Sequence, residues 1–181
     1  MSTLSARAWT LAVALSVLPA VLPADQSLQV APLSREGRVL VSFRLDNAFN
    51  EDIRTAIHSG LTISFIYDVE LKRGSSLWFD RTIASEKVTA AVRYDNLARR
   101  YQVTRTQDGR IERVDATERE EDARRLLTEF DKLPLFTSEG LEPNAEYYVR
   151  VRARTSPRNA SFVWPWERHD VSATAKFTFI K

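Results

Sequence analysis

Hydrophobic and polar residues alternate with a period of two along much of the chain. Val39, Val41, Phe43 and Leu45 form one such series, and a longer series runs from Leu61 to Leu71. Alternation of this kind places every second side chain on the same face of an extended segment. Both segments are therefore predicted to be β-strands with one buried face.

Further alternating segments continue the pattern. They predict strands at residues 77–83, 88–94, 101–106, 110–114, 133–136, 146–154 and 171–180. The Asp108-Gly109 pair between two of these segments supplies the positive φ angles that a tight hairpin requires. The middle of the chain is therefore predicted to be an antiparallel meander.

Two short helices are predicted between the strands. Asn50 has a side chain suited to capping the first helix, which ends near Gly60. His58, close to that end, is expected to interact favourably with the helix dipole. Thr117 and Glu120 have the spacing of a capping box, which predicts a second helix over residues 117–131.

Eight or so strands without a repeating strand–helix–strand unit favour antiparallel pairing. A single sheet would leave the apolar face of each strand in water, so two sheets packed face to face are expected. The predicted fold class is mainly β, an immunoglobulin-like antiparallel β-sandwich with two short helices, in one domain over residues 38–181. Residues 25–37 contain Pro32 and little periodicity, and they are interpreted as a leader segment.

The first 24 residues have the pattern of an export signal. Arg7 precedes an apolar stretch, and Ala24 after Pro23 is a small residue suited to cleavage, with cutting after Ala20 as an alternative. The 17 uncharged residues between Arg7 and Asp25 are also just long enough for residues 8–24 to stay as a membrane tether. We expect an exported protein, either periplasmic or membrane-anchored and facing the periplasm.

The amino-acid composition excludes several classes of functional site. The 181-residue chain has no cysteine, which excludes thiol catalysis and thiolate zinc sites. Without Arg7 it has 25 basic and 24 acidic residues, and this near-neutral balance argues against nucleic-acid binding. The five glycines are scattered singly, so the chain lacks a Gly-rich phosphate loop. No cofactor is expected.

Leu141, Pro143 and Tyr147 have the spacing of a tyrosine corner. This corner resembles that of fibronectin type III and immunoglobulin-like domains. The resemblance implies that the Tyr147 hydroxyl bonds to the upstream backbone and fixes the crossover between two sheets. It covers the corner alone, so the strand order stays open.

A second resemblance spans residues 38–180. It is carried by Glu70-Leu71-Lys72-Arg73, Leu77-Trp78-Phe79-Asp80, Tyr94-Asp95-Asn96-Leu97-Ala98-Arg99-Arg100-Tyr101 and Leu141-x-Pro143. In combination these motifs resemble the bacterial exported family catalogued as domain of unknown function 4390. The resemblance implies a small exported protein without an assigned activity, often encoded near a sensor-kinase pair of the nitrogen-regulation type. It transfers no catalytic residue.

Catalytic patterns are weak. The two histidines, His58 and His169, lack metal-ligand spacing, and no metal site is predicted. Asp68, Glu70 and Asp80 lie near one another in the sequence and keep open a small envelope hydrolase that uses carboxylates. Acids on the outward face of a strand are, however, usually solvated.

Two groups of residues are candidates for binding. Tyr148, Arg150, Arg152 and Arg154 share one face of a predicted strand, where the arginines either bind a partner or pair with acids on neighbouring strands. Trp164 and Trp166 lie in the connection before the last strand, where they either contact a partner or cover the core.

The expected function is a non-enzymatic exported β-sandwich module that binds an unknown protein or envelope component. A carboxylate hydrolase and a membrane-tethered accessory to a sensor kinase are the alternatives. The sequence identifies no substrate.

Overall fold

The computed structural model describes residues 25–74, 81–158 and 170–180. This part of the chain contains nine strands and two helices. In chain order they are β1 (Ser27–Arg35), β2 (Arg38–Asp46), α1 (Glu51–His58), β3 (Thr62–Arg73), β4 (Arg81–Asp95), β5 (Arg100–Gln107), β6 (Arg110–Thr117), α2 (Glu120–Thr128), β7 (Glu129–Thr137), β8 (Glu146–Arg158) and β9 (Val171–Thr178).

The strands form two antiparallel sheets. A three-stranded sheet has the order β1-β2-β7, and a six-stranded sheet has the order β6-β5-β4-β3-β8-β9. The prediction of a mainly-β sandwich with two short helices is confirmed. The predicted signal or anchor, residues 1–24, lies outside the described residues. Within the described ranges, neither helix has the length and apolar character that crossing a membrane requires.

The core lies between the sheets, where the predicted alternation places the apolar side chains. Val39, Val41, Phe43 and Leu45 of β2 face the sheet that contains β3, whose own inward series from Ile63 to Leu71 is fully buried. At its centre Phe43, Tyr67 and Phe130 form an aromatic cluster. Their ring centroids are 4.5–5.1 Å apart.

The interpretation of residues 25–37 as a leader is wrong, because Ser27–Arg35 is β1, paired with β2 along its whole length. Glu36 and Gly37 connect the two strands with φ angles of 52° and 75°. Pro32 interrupts the hydrophobic pattern at an inward position. Proline removes one backbone donor, which an edge strand tolerates.

The predicted strands at 77–83 and 88–94 are also corrected. Arg81–Asp95 is one continuous strand, paired with β3 on one side and β5 on the other, and residues 75–80 lie outside the described part. The hairpin prediction is confirmed, since Asp108 and Gly109 have φ angles of 46° and 80°. The helix prediction at Asn50 is confirmed as well, since its Oδ1 accepts a hydrogen bond from the Ile53 N–H at 3.0 Å.

The capping box predicted for α2 does not form. The helix begins at Glu120 with Arg119 as its N-cap residue, and Phe130 belongs to β7. The Thr117 hydroxyl accepts a hydrogen bond from the Arg119 N–H, two residues away. The Glu120 carboxylate bonds to Arg54 and Tyr101 instead of reaching back along its own chain.

The two sheets differ in width, and this difference shapes the surface. On one side β1 lies alongside β9, and further across β7 approaches β4. The strands β5 and β6 extend beyond the small sheet, and α2 packs on this extension against β4, β5 and β6. The arrangement leaves a cleft beside α2.

Candidate binding surfaces

The predicted arginine strand forms, but its charges are mostly paired. Tyr148, Arg150, Arg152 and Arg154 lie on the outer face of β8, while Tyr147, Val149, Val151 and Ala153 are buried. Arg150 Nη2 lies 2.6 Å from Glu70 Oε2, and Arg154 Nη2 lies 3.0 Å from Asp68 Oδ2. These pairs correspond to the alternative of cross-strand pairing.

Glu70 illustrates the electrostatics of this face. Burial raises the pKa of its carboxyl group, but hydrogen bonds from Arg150 and Lys72 outweigh that effect and hold the pKa below its ordinary value. Among the described residues Arg152 is exposed and has no ion-pair partner. The ring of Tyr148 packs against Gly74, where an added Cβ would come within 2.7 Å of Cε2.

The tyrosine corner has the expected hydrogen bond. The Tyr147 hydroxyl oxygen accepts from the Glu142 N–H at 2.7 Å, and the Tyr147 side chain is buried. Leu141 is also buried, whereas Pro143 is exposed in the turn. The tyrosine corner therefore has a structural role.

The second predicted binding group, Trp164 and Trp166, lies outside the described residues.

A cleft of about 1000 Å³ opens between the small sheet, α2 and the β5–β6 hairpin. Its floor is formed by Arg105, Leu126 and Phe130. The guanidinium of Arg105 lies 4.3 Å from the centre of the Phe130 ring and donates to the carbonyls of Leu126 and Glu129 at 2.7 and 2.9 Å. These carbonyls belong to the end of α2, where a cation is favoured.

Arg105 is not among the candidate site residues that the sequence predicts. It follows Tyr101 and Val103 in the inward series of β5, where an apolar residue is expected. A charged residue at an inward strand position is the signal that marks it. Burial lowers the pKa of Arg105.

The walls of the cleft carry both charges. Arg113 and Arg125 are paired with Asp115 and Asp122, and both arginines are more than half exposed. Arg113 Nε donates to Asp115 Oδ1 at 2.8 Å, whereas Asp115 Oδ2 is buried and, within the described part, has only an ionic contact with the same guanidinium. The hydrogen bond from Arg125 contributes most to holding the pKa of Asp122 below its ordinary value.

A second polar cluster joins the two helices to β5. The Tyr101 hydroxyl lies 3.0 Å from His58 Nε2 and donates to Glu120 Oε2 at 3.3 Å. Arg54 binds the same carboxylate through Nε at 2.9 and 3.0 Å and through Nη2 at 2.7 Å. Burial, followed by the Glu120 charge, raises the pKa of Tyr101 to about 12.

This cluster of hydrogen bonds connects α1, β5 and α2. A tyrosine with that pKa keeps its proton at neutral pH, and Glu120 has a lowered pKa, chiefly because of the Arg54 hydrogen bond. His58 sits in the last turn of α1 as predicted, but it also reaches a residue 43 positions away in the sequence. Its contacts with Tyr94 and Tyr101 have no local sequence signal.

Two of the three acids proposed for the hydrolase alternative pair with arginines of β8. Asp68 and Glu70 form ion pairs on the outer face, and Asp80 lies outside the described part. The described ranges also contain no group of three or more His, Cys, Asp or Glu residues that could hold a metal ion.

Comparison with family models shows which family the chain matches. A family model described as Domain of unknown function (DUF4390) matches residues 26–161. Comparison with curated proteins and with solved structures found no match.

Proposed function

Since the chain belongs to the DUF4390 family, whose description names no activity, we propose from its own geometry that the protein is a non-enzymatic binding module. The observation that supports this proposal is the cleft of about 1000 Å³ beside α2. Its volume is at the upper end of the range of about 300–1000 Å³ in which clefts hold ligands. The protein would bind its partner there rather than on the arginine strand.

The chemistry of the cleft favours a segment of another polypeptide. Acidic and basic side chains both line its walls, and the partly buried Val30 and Leu126 supply apolar surface. A segment with charges of both signs and an apolar side chain complements this lining. A polyanion such as nucleic acid is disfavoured because the wall charges are balanced.

The ion pairs on the outer face of β8 also favour the cleft over the arginine strand as the binding site. Two of its three arginines already have carboxylate partners, so an incoming ligand would have to displace them. The lowered pKa of Glu70, which pairs with Arg150, supports a binding role for this face over acid–base chemistry, which calls for a carboxyl group with a raised pKa. Export to the periplasm is part of the proposal and rests on the pattern of the first 24 residues.

A photo-crosslinking experiment in the native host tests the site. A photoreactive residue at Ala31, which lines the cleft, should yield an adduct with the partner, whereas the same residue at Thr174 on the outer face of β9 should not. The double substitution Arg44→Glu plus Arg125→Glu changes two exposed arginines of the cleft that lie outside β6. It should lower the adduct yield about tenfold, the effect of losing roughly 1.4 kcal/mol of binding free energy.

Arg152→Glu is the matched control, because it reverses an exposed arginine on the opposite face. It should leave the adduct from Ala31 unchanged. If Arg152→Glu removes the adduct while the cleft variant keeps it, the partner binds the arginine strand and the proposed site is wrong.

A further inference from the structure

The strand β6 is an edge strand that exposes apolar side chains. It closes one end of the six-stranded sheet, and its described neighbour in that sheet is β5 alone. Ile111 and Val114 are 67% and 64% exposed. An edge strand with exposed apolar residues offers unpaired backbone groups to a further strand.

The other edge strands of the described sheets, β1, β7 and β9, have features that hinder pairing with a further strand. β1 contains Pro32 and lies alongside β9, so each of these strands restricts access to the other. β7 contains Pro134. A proline cannot donate a backbone hydrogen bond to a further strand, so it hinders edge association. β6 contains no proline.

An irregularity in β6 determines which side chains share a face. Ile111 pairs with Thr106 and Arg113 pairs with Arg105, so Glu112 is an extra residue without a partner in β5. In a regular strand, positions 111 and 114 would point to opposite faces. The bulge at Glu112 brings Ile111 and Val114 to the same outer face, while Arg110 and Asp115 share the inner face.

The sequence of β6 is complementary to itself when it is read in the opposite direction. Residues 110–115 are Arg-Ile-Glu-Arg-Val-Asp. In an antiparallel pair of two such strands, Arg110 lies opposite Asp115, Ile111 opposite Val114, and Glu112 opposite Arg113. Each charged residue then faces its opposite charge, and each apolar residue faces an apolar one.

We infer that β6 pairs with β6 of a second copy of this chain, in the register that places Ile111 opposite Val114. A two-fold axis perpendicular to the sheet relates the copies, as antiparallel pairing of identical strands requires, so each face of one sheet continues into the same face of the other. The bulge makes this symmetry possible, because it places Arg110 and Asp115 on one face of β6 and Ile111 and Val114 on the other. The result is a continuous twelve-stranded sheet with two clefts on the same side.

Charge variants at the two exposed apolar positions test the dimer in the purified full chain. Ile111→Lys plus Val114→Lys places lysine opposite lysine in both apolar pairs, and Ile111→Glu plus Val114→Glu does the same with glutamate. Each variant alone should raise the dimer dissociation constant at least about tenfold. An equimolar mixture of the two variants should recover association through heterodimers, as measured by sedimentation velocity.

Leu33→Lys plus Leu97→Lys is the control, because these residues are 46% and 99% exposed and lie outside β6. This variant should dimerise like the unmodified protein. All the substituted side chains are exposed, and circular dichroism verifies that each variant is folded.

Cysteine substitution tests the register. The chain has no cysteine of its own. A mixture of Ile111→Cys protein and Val114→Cys protein should form disulfide-linked dimers under mild oxidation, whereas each protein alone should form few, because positions 111 and 111 are not opposite each other.

Three results would overturn the inference. The protein could remain monomeric at every concentration tested. That result would count against the dimer even if an extended peptide of another sequence pairs with β6. The lysine and glutamate variants could dimerise like the unmodified chain. Single-cysteine proteins could crosslink with themselves as well as the mixture does. None of these results bears on the crosslink from Ala31, so the dimer and the cleft are tested separately.

Discussion

Tyr67 has no solvent exposure, and its hydroxyl group donates to the Leu127 carbonyl at 2.7 Å. Leu127 lies near the end of α2, where carbonyl groups lack a partner within the helix. One side chain of β3 therefore fills the aromatic core and also satisfies a helix end. Burial raises the pKa of its hydroxyl, which keeps the donated proton in place.

Tyr67→Phe removes this donor and keeps the ring. We expect the free energy of unfolding to fall by about 1–2 kcal/mol, because the Leu127 carbonyl loses a buried hydrogen bond. Urea denaturation followed by fluorescence measures the change. Tyr148→Phe on the outer face is the control and should change stability by less than about 0.5 kcal/mol. Equal stability of Tyr67→Phe and the unmodified protein would show that water or backbone movement replaces the bond.

Arg105 is the residue that connects an inward strand position to the cleft. Its side chain stacks on Phe130 and binds two carbonyl groups at the end of α2. Alternation alone indicates that position 105 faces inward. The partners of its guanidinium come from α2 and β7, which sequence alone does not place beside it.

At the scale of elements, the N-cap residue of α2 is Arg119, two residues later than the Thr117 that the capping box predicts. The Glu120 carboxylate binds Arg54 of α1 and accepts a hydrogen bond from Tyr101 of β5. An ion pair with a neighbouring helix replaces the local cap, because the packed arrangement offers a guanidinium that the isolated segment lacks. Local capping chemistry therefore predicted a helix in this region but misplaced its first residue.

Glu120→Gln should lower stability by about 1 kcal/mol at neutral pH, a modest value because the Glu120 side chain is 34% exposed. Its pKa in the folded protein lies below 4.5. The stabilisation is therefore complete above pH 4.5 and is lost as the pH falls through the folded-state pKa. Urea denaturation at a series of pH values should show the gap between variant and unmodified protein closing on acidification.

Glu139→Gln is a matched control for this substitution, since Glu139 is exposed beyond the end of β7. It should leave stability nearly unchanged at each pH. A gap for Glu120→Gln that stays constant down to strongly acidic pH would contradict the assignment of the pH dependence to its ion pair.

The strand β1 is a second element that the sequence pattern did not predict correctly. Its inward positions are only partly buried, and Pro32 occupies one of them. The hydrophobic alternation was too weak there to predict a strand. Pairing with β2 over nine positions determines its conformation, and the Glu36-Gly37 turn makes that pairing local.

At the scale of the whole molecule, the unequal widths of the two sheets create the proposed binding site. The overhang of β5 and β6 provides one wall of the cleft and one free edge. The cleft and the edge strand therefore arise from the same feature. The predicted surfaces, the arginine strand and the loop of Trp164 and Trp166, lie elsewhere in the sequence.

Export is tested on the whole molecule as well. Fractionation of the native host should place the protein in the periplasm, and N-terminal sequencing should give Asp25, or Val21 if cleavage follows Ala20. An intact N-terminus in the membrane fraction would support the tether formed by residues 8–24. Recovery from the cytoplasm with an intact N-terminus would contradict export.

The sequence by itself determined the positions of most strands other than β1 and β4, their inward side chains, the Asp108-Gly109 hairpin and the cap at Asn50. These features depend on neighbours within a few residues, where backbone geometry restricts the alternatives. Only the tertiary structure decided that Glu70 neutralises Arg150, that Arg105 reaches α2 and that β6 remains at an edge. Such contacts join residues 21 or more positions apart in the chain, and they follow from the order in which the strands pair.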